Sequence, residues 1–175
     1  PILLLSLLST SIFSLLQSAL PLDLVGGGIS RPPLSEGWSG TILTLQLCLL
    51  VIFQWPIGHW LSKYKQGFGL FISISSFCIG SLLLGVSAIW INGILLTLIA
   101  QIPLALVLAG FLPTATEAVI KTSPIEHRGL AMAMFSQCFA LSALFVPALT
   151  GIIIDKQGHA MFIWLGVSLV CLTML

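Results

Sequence analysis

Long apolar runs separated by short polar stretches extend over the whole chain. No Asp, Glu, Lys or Arg occurs between Lys65 and Glu117. Because a helix crosses the hydrocarbon core of a bilayer with about 20 apolar residues, this block alone is long enough to cross twice. The pattern predicts an all-α integral membrane protein with six transmembrane helices. They form one membrane domain over residues 1–175, with approximate spans 2–20, 38–61, 68–89, 94–120, 124–154 and 160–175.

Turn-forming and polar residues mark the ends of these spans. Pro21 and Asp23 end the first span, and residues 26–33 hold glycines and prolines that form a loop. Such a loop cannot lie in lipid, where its backbone groups would stay unpaired. The fifth span opens with Ser123, Pro124 and Glu126, which predicts a capping box: the serine caps the helix and the glutamate reaches back to it.

The composition argues against a soluble protein, a nucleic-acid-binding protein and a metalloprotein. Hydrophobic residues make up 58% of the chain and charged residues 6%, with a mean hydropathy of +1.16, whereas soluble domains carry about 25% charged residues. A formal net charge of +1 gives no reason to expect a nucleic-acid partner. No metal site or cofactor is expected, because the cysteines lack metal-site spacings and are interpreted as small buried hydrophobic residues; they are Cys48, Cys78, Cys138 and Cys171.

The distribution of basic residues predicts the orientation. Four basic residues follow the second and fourth spans, namely Lys63, Lys65, Lys121 and Arg128, whereas the opposite side holds only Arg31 and Lys156. Since cytoplasmic loops carry the excess of Lys and Arg, both termini are expected in the cytoplasm, in the plasma (inner) membrane. The chain starts at Pro1, and its last apolar run stops without an anchoring residue, so we expect a piece of a longer, twelve-helix protein.

Short motifs occur at fitting places along this topology. The connection between the second and third spans reads GHWLSKYK from Gly58 to Lys65, and the fifth span begins with PIEHRG from Pro124. Gln101 precedes Pro113 by twelve residues in the fourth span. Together these motifs resemble the major facilitator superfamily, with its loop motif G-x-L-x-D-R-x-G-R-R, its P-x-x-x-R-G start of helix five and its Arg ahead of a Pro in helix four. Ser62 stands where the family has Asp, and Gln101 where it has Arg.

The resemblance implies a secondary active transporter that moves a small solute by alternating access. Two six-helix halves of one chain would rock around a central site, and this chain would be one half. The implied partners are a small-molecule substrate, the lipid bilayer and the second half; a coupling ion and the direction of transport stay open. No enzymatic activity is expected. The resemblance also implies a loop and gating role for Gly58, Lys63 and Arg128. The position of Glu117 leaves two interpretations open, a structural contact with Lys121 or Arg128 and a gating or proton-linked role.

Polar side chains inside the spans are the candidates for a substrate cavity. Each costs free energy in lipid unless it has a partner or faces water. Four glutamines lie away from the span ends, on spans one, two, four and five, which the resemblance places around the cavity: Gln17, Gln46, Gln101 and Gln137. Hydrogen bonding between helices is the other interpretation of each.

Two further features of spans four and five are open to a structural or a functional interpretation. Glu117 is taken as the embedded carboxylate, and its position four residues before Lys121 predicts a local ion pair. Small residues form a stripe on span five that either packs between helices or lets the helix bend as the halves rock. The positions named for packing or a hinge are Gly129, Pro147 and Gly151.

Two other functions fit parts of the sequence. Gly37-Trp38-Ser39-Gly40 has the G-x-S-G form of rhomboid-like intramembrane serine proteases, although His59, the nearest base, belongs to the far end of the same span. A non-transporting scaffold or assembly subunit is the second alternative, because the motifs are degraded. The glycines before Pro32 lack the G-K-[ST] of a phosphate-binding loop, so an ATP-driven pump is not supported.

Overall fold

The computed structural model describes residues 2–61, 63–64 and 66–174, and these residues form helices without any strand. The predicted all-α class with six helices is confirmed. The helices are α1 (Ile2–Gly26), α2 (Glu36–Leu61), α3 (Gln66–Ser87), α4 (Gly93–Thr122), α5 (Arg128–Gln157) and α6 (Met161–Met174), with a 3₁₀ turn at Ile125–His127 before α5.

The helix lengths fit a membrane protein. Helices α2, α3, α4 and α5 are each long and apolar enough to span a bilayer. Helix α1 has 25 residues, about 37 Å at a rise of about 1.5 Å per residue. Helix α6 has only 14 described residues, about 21 Å. Helix α1 also continues past Pro21 to Gly26, so Pro21 and Asp23 lie within the helix rather than ending it as predicted.

One group of four helices and one helix pair build the bundle. Helix α4 packs along α3 and α2, helix α3 also packs along α6, and helix α1 packs along α5. Leu20 of α1, Phe77 of α3 and Leu104 of α4 are fully buried where these groups meet. Helices α3 and α4 approach closely at Gly80, because a Cβ there would lie 2.6 Å from Leu104 Cδ2.

The bundle has two ends, which we name by a residue of each. The Arg31 end holds the connections α1–α2, α3–α4 and α5–α6; the Arg128 end holds α2–α3 and α4–α5. At the Arg31 end the backbone N–H of Ser30 donates to the carbonyl of Ala88 over 3.0 Å. Gly28 lies against the same residue, and a Cβ on it would sit 2.6 Å from the Ala88 carbonyl oxygen. The first connection is therefore folded onto the second.

The predicted capping box at the start of α5 is wrong. Ser123 instead ends α4, where its hydroxyl donates to the Val119 carbonyl over 2.7 Å. Pro124 is extended, the 3₁₀ turn follows, and α5 begins only at Arg128 without a side-chain cap. The serine is thus used by the helix before it, so it cannot cap the helix after it.

The small-residue stripe of α5 does not pack inside this bundle. Gly129 is exposed, and a Cβ on either Gly129 or Gly151 would meet nothing within 4 Å. Helix α5 packs on α1 through another face, where Ser142 is buried and its Oγ lies 2.8 Å from Thr10 Oγ1. Ser14 Oγ donates to the Ser142 carbonyl over 3.1 Å in the same contact. Hydroxyl groups, together with the edge-to-face pair of Phe13 and Phe139, therefore join these two helices.

The cysteines are buried with one exception. Cys78, Cys138 and Cys171 are free and buried, as expected, whereas Cys48 is exposed on α2. The expectation for Cys48 was wrong because an apolar run marks a span without telling which of its faces points out of the bundle. In a bilayer the outward face of a span meets lipid, so it can be as apolar as the core.

Candidate central cavity and the polar network beside it

Two of the four predicted glutamines line one cavity. Gln17 of α1 and Gln46 of α2 border a space of about 260 Å³ that α4 closes with Leu108. The remaining wall is apolar, with Phe13, Leu16, Leu43, Leu47 and Leu50. No charged side chain lines it. The cavity therefore offers amide groups within a hydrocarbon wall.

Gln46 is the group of this cavity whose hydrogen bonding is incomplete. Its side chain is 4% exposed, and its Nε2 has no hydrogen-bond partner among the residues that the structure describes. A buried donor without a partner costs about 1–3 kcal/mol. An acceptor atom of a bound molecule would remove that cost. Gln17, in contrast, is exposed at the cavity edge.

Gln101 occupies a different place. It is fully buried in α4, its Nε2 donates to the Thr97 carbonyl over 2.9 Å, and its Oε1 has no partner among the described residues. It does not line the Gln46 cavity. One helical turn away, the hydroxyl of Thr97 meets a buried ion pair, so Gln101 belongs beside a polar network at the Arg31 end.

That network centres on Asp23 and Arg31, which are 1% and 2% exposed. Arg31 Nη2 lies 3.1 Å from Asp23 Oδ2 and also donates to the Asp23 carbonyl over 2.7 Å. Arg31 Nη1 donates to Ser87 Oγ over 2.8 Å and to Thr97 Oγ1 over 3.2 Å, and Trp164 Nε1 donates to Asp23 Oδ2 over 3.2 Å. The ion pair thereby joins α1, the first connection, α3, α4 and α6.

Sequence reasoning placed Arg31 on an exposed loop and missed this pair. It took Glu117 as the embedded carboxylate, and the structure corrects that: Glu117 is exposed and Asp23 is buried. The available signal was a lone Asp and a lone Arg eight residues apart at one span end. A glycine- and proline-rich connection between them conceals that they meet.

Gln137 lies apart from both sites. It is exposed on α5, on a face that contacts no other described helix at that position. Pro147 and Gly151, further along α5, are half-buried. The four glutamines therefore divide into a cavity pair, one residue beside the ion network and one on the outside of the bundle.

Comparison with known proteins decides the family. A sequence model of the Major Facilitator Superfamily matches residues 2–175. The chain belongs to the Major Facilitator Superfamily. This confirms the resemblance drawn from the loop and helix-five motifs, and it makes the chain part of a multi-pass integral membrane protein of a transporter family. No curated protein and no solved structure gives a match.

The loop-motif residues of this superfamily member lie at the Arg128 end. Gly58 is half-buried on α2 beside an open groove with Trp55 and His59, and Lys63 is exposed. Next to Lys63, an aromatic cluster consists of Trp60, Tyr64 and Phe68, with ring centroids 5.0 to 5.9 Å apart. Such rings favour the boundary between lipid and water.

The remaining motif residues are Glu117, Lys121 and Arg128. Glu117 Oε1 and Lys121 Nζ form the predicted local ion pair at 2.5 Å, and both side chains are at least half exposed. Arg128 is exposed at the first position of α5 and forms no ion pair with the residues described here. In this structure the gating candidates therefore lie at one end without a network that joins them.

The protease alternative is inconsistent with the helix. Ser39 and His59 both lie in α2, twenty residues apart, which is about 30 Å along the axis. A nucleophile and its base must come within hydrogen-bond reach, about 2.6–3.2 Å. At this separation along one helix, Ser39 and His59 cannot form a catalytic pair.

Proposed function

We propose that this chain is one six-helix half of a secondary transporter, and that the cavity between α1, α2 and α4 is its share of the substrate site. The observation that carries the proposal is the unpartnered, buried Nε2 of Gln46 on the wall of that cavity. The cavity lies between helices that alternating-access carriers use to surround their substrate, near the middle of the bundle.

The lining supports an uncharged substrate. A charged molecule would need a counter-charge in this low-dielectric wall, and none lines the cavity. An amide donor and hydrocarbon suit a small solute with a hydrogen-bond acceptor and an apolar part. Gln17 at the exposed edge would make the second polar contact.

The second half would cover the outward faces of α2 and α5. Val51 and Trp55 of α2 and Leu144 and Phe145 of α5 are large apolar residues that are more than half exposed. Gln137 lies on the exposed side of α5 as well, so a second half packed there would bring it to the central pathway. Pro147 and Gly151 are proposed to let α5 bend in that position.

The test uses the full-length protein in detergent and in proteoliposomes. Thermal-shift screening against uncharged sugars, nucleosides and aromatic alcohols identifies a stabilising solute, whose uptake is then measured. Gln46→Ala is expected to lower uptake at least tenfold, since about 1.4 kcal/mol of binding free energy corresponds to a factor of ten. Gln54→Ala, an exposed amide two turns along the same helix, serves as the matched control and should transport normally. Equal uptake by both variants would remove the cavity assignment.

The proposed orientation places the Arg128 end and both termini in the cytoplasm of a plasma (inner) membrane. It is supported by the excess of basic residues at that end. In a Cys48→Ser background, a cysteine at Lys63 should react with an impermeant maleimide only in inside-out vesicles. A cysteine at Ser30, which is exposed at the Arg31 end, should react only in right-side-out vesicles. Reaction of both from one side would exclude this topology.

A further inference from the structure

A second cavity, separate from the Gln46 cavity, opens between α1 and α6. It holds about 350 Å³ and is lined chiefly by Ile12 and Leu15 of α1, Phe77 of α3, and Phe162, Gly166 and Val167 of α6. It shares no lining residue with the Gln46 cavity. Its volume lies within the range of about 300–1,000 Å³ that small-molecule sites occupy.

The space exists because α1 and α6 pack on different partners. Helix α1 lies along α5, whereas α6 lies along α3, which leaves a slot between them. Gly166 leaves space on the α6 side of the slot, because a Cβ there would meet nothing within 4 Å. A larger residue at this position would stand in the slot.

The chemistry of the slot fits hydrocarbon. Ser11 is the hydroxyl-bearing residue of the lining, and its Oγ already donates to the Leu7 carbonyl over 2.7 Å. An apolar cavity of this kind does not hold ordered water, because water needs two to four polar partners. In a membrane-spanning bundle the molecules that border such a slot are lipids, whose acyl chains match it in polarity.

A polar side chain lies next to the slot. His159, in the connection before α6, packs against the slot residue Phe162 with ring centroids 5.6 Å apart and ring planes tilted by 33°. Its Nδ1 is buried and has no hydrogen-bond partner among the described residues. This imidazole lies at the Arg31 end, where α6 begins. The apolar slot and the unpartnered nitrogen next to it therefore match the order of acyl chain and ester group in a lipid.

We propose that this slot binds one acyl chain of a bilayer phospholipid, with its ester region at His159. The lipid fills the part of the space between α1 and α6 that the Trp164–Asp23 hydrogen bond leaves open. The site is distinct from the substrate cavity, so the proposal stands whether or not Gln46 contacts a substrate.

The experiment counts retained lipid. Full-length protein is reconstituted in nanodiscs of dioleoylphosphatidylcholine, released into detergent and weighed by native mass spectrometry. Wild type should retain one phospholipid more than Gly166→Leu, whose side chain stands in the slot. Gly40→Leu is the matched control, because Gly40 on α2 also has open space around its Cβ position, and it should retain the same number as wild type.

Two further readouts make the outcome decisive. Added phosphatidylcholine should raise the Tm of wild type and of Gly40→Leu, but not of Gly166→Leu. His159→Ala, which leaves the slot open, should lose at least half of the retained lipid. Equal lipid numbers in wild type and Gly166→Leu, or loss in both glycine variants, would overturn the acyl-chain site. Full retention in His159→Ala would overturn the assignment of the ester end.

Discussion

The two ion pairs among the described residues show that the two ends of the bundle are built in different ways. At the Arg31 end, Asp23 and Arg31 are both buried, and Ser87, Thr97 and Trp164 hydrogen-bond to them. At the Arg128 end, Glu117 and Lys121 form a pair on one helix in the open. A buried pair must be held by geometry because its desolvation is costly, whereas an exposed pair contributes about 0–1 kcal/mol. The buried pair therefore links several helices at the Arg31 end, whereas the exposed pair at the Arg128 end lies within one helix.

The largest expected effect is that of Arg31→Met. The variant leaves the Asp23 carboxylate buried without its counter-charge and removes three hydrogen bonds of the guanidinium group. We expect a loss of about 3–5 kcal/mol in the free energy of unfolding, measured by denaturant titration in detergent. The double variant Asp23→Leu with Arg31→Met should recover most of the loss. A single variant within 1 kcal/mol of wild type would contradict the difference between the ends.

A smaller loss is expected for Gly28→Ala. Its new Cβ would stand 2.6 Å from both Cα and O of Ala88, so the first connection would have to lift off the second. We expect a loss of about 1–3 kcal/mol, read as a fall in Tm. Gly37→Ala, where the Cβ meets nothing, is the matched control and should be neutral or stabilising by up to about 1 kcal/mol. Equal shifts in both variants would show that the contact between connections is unimportant.

Ser142→Ala tests the middle of the bundle, between the two ends. It removes the hydroxyl that lies 2.8 Å from Thr10 Oγ1 across the α1–α5 contact. Interhelical hydrogen bonds in membranes contribute about 0.6 kcal/mol on average and up to about 1.7, and we expect a loss in this range. The exposed Ser136, whose Oγ donates to the Met132 carbonyl of its own helix, provides the control. If Ser136→Ala costs as much as Ser142→Ala, the contact is not held by hydroxyl groups.

The smallest expected effect is that of Lys121→Met. Its side chain is 63% exposed, so solvent screens the pair and the loss should stay below about 1 kcal/mol. Raising the salt concentration should reduce even this difference between variant and wild type. A loss comparable to that of Arg31→Met would mean that the exposed pair supports the Arg128 end in the same way.

The sequence was sufficient to predict the class of fold but only part of the site. Span number and rough limits follow from apolar runs because lipid imposes one length on every crossing helix. Gln17 and Gln46 could be proposed as neighbours from the family resemblance, and they do share a cavity. Whether a residue faces inward depends on helix rotation, which an all-apolar helix does not reveal; Cys48 was for this reason placed on the wrong face.

The buried ion pair and the end of α4 were not predicted, for another reason. Asp23 and Arg31 meet only because a tight connection turns the chain back onto α3 and α4, a tertiary contact that local pattern does not encode. Ser123 fits the sequence signature of a helix start as well as that of a helix end. The extended backbone of Pro124 shows that it ends α4. Signals shared by two neighbouring helices are resolved only by the fold.

The bond between Ser30 and Ala88 has a mechanical consequence. It connects the α1–α2 hairpin to the α3–α4 hairpin, and the close contact of Gly28 with Ala88 leaves no space between the two connections. The two connections are therefore expected to move together at the Arg31 end, rather than to slide past each other.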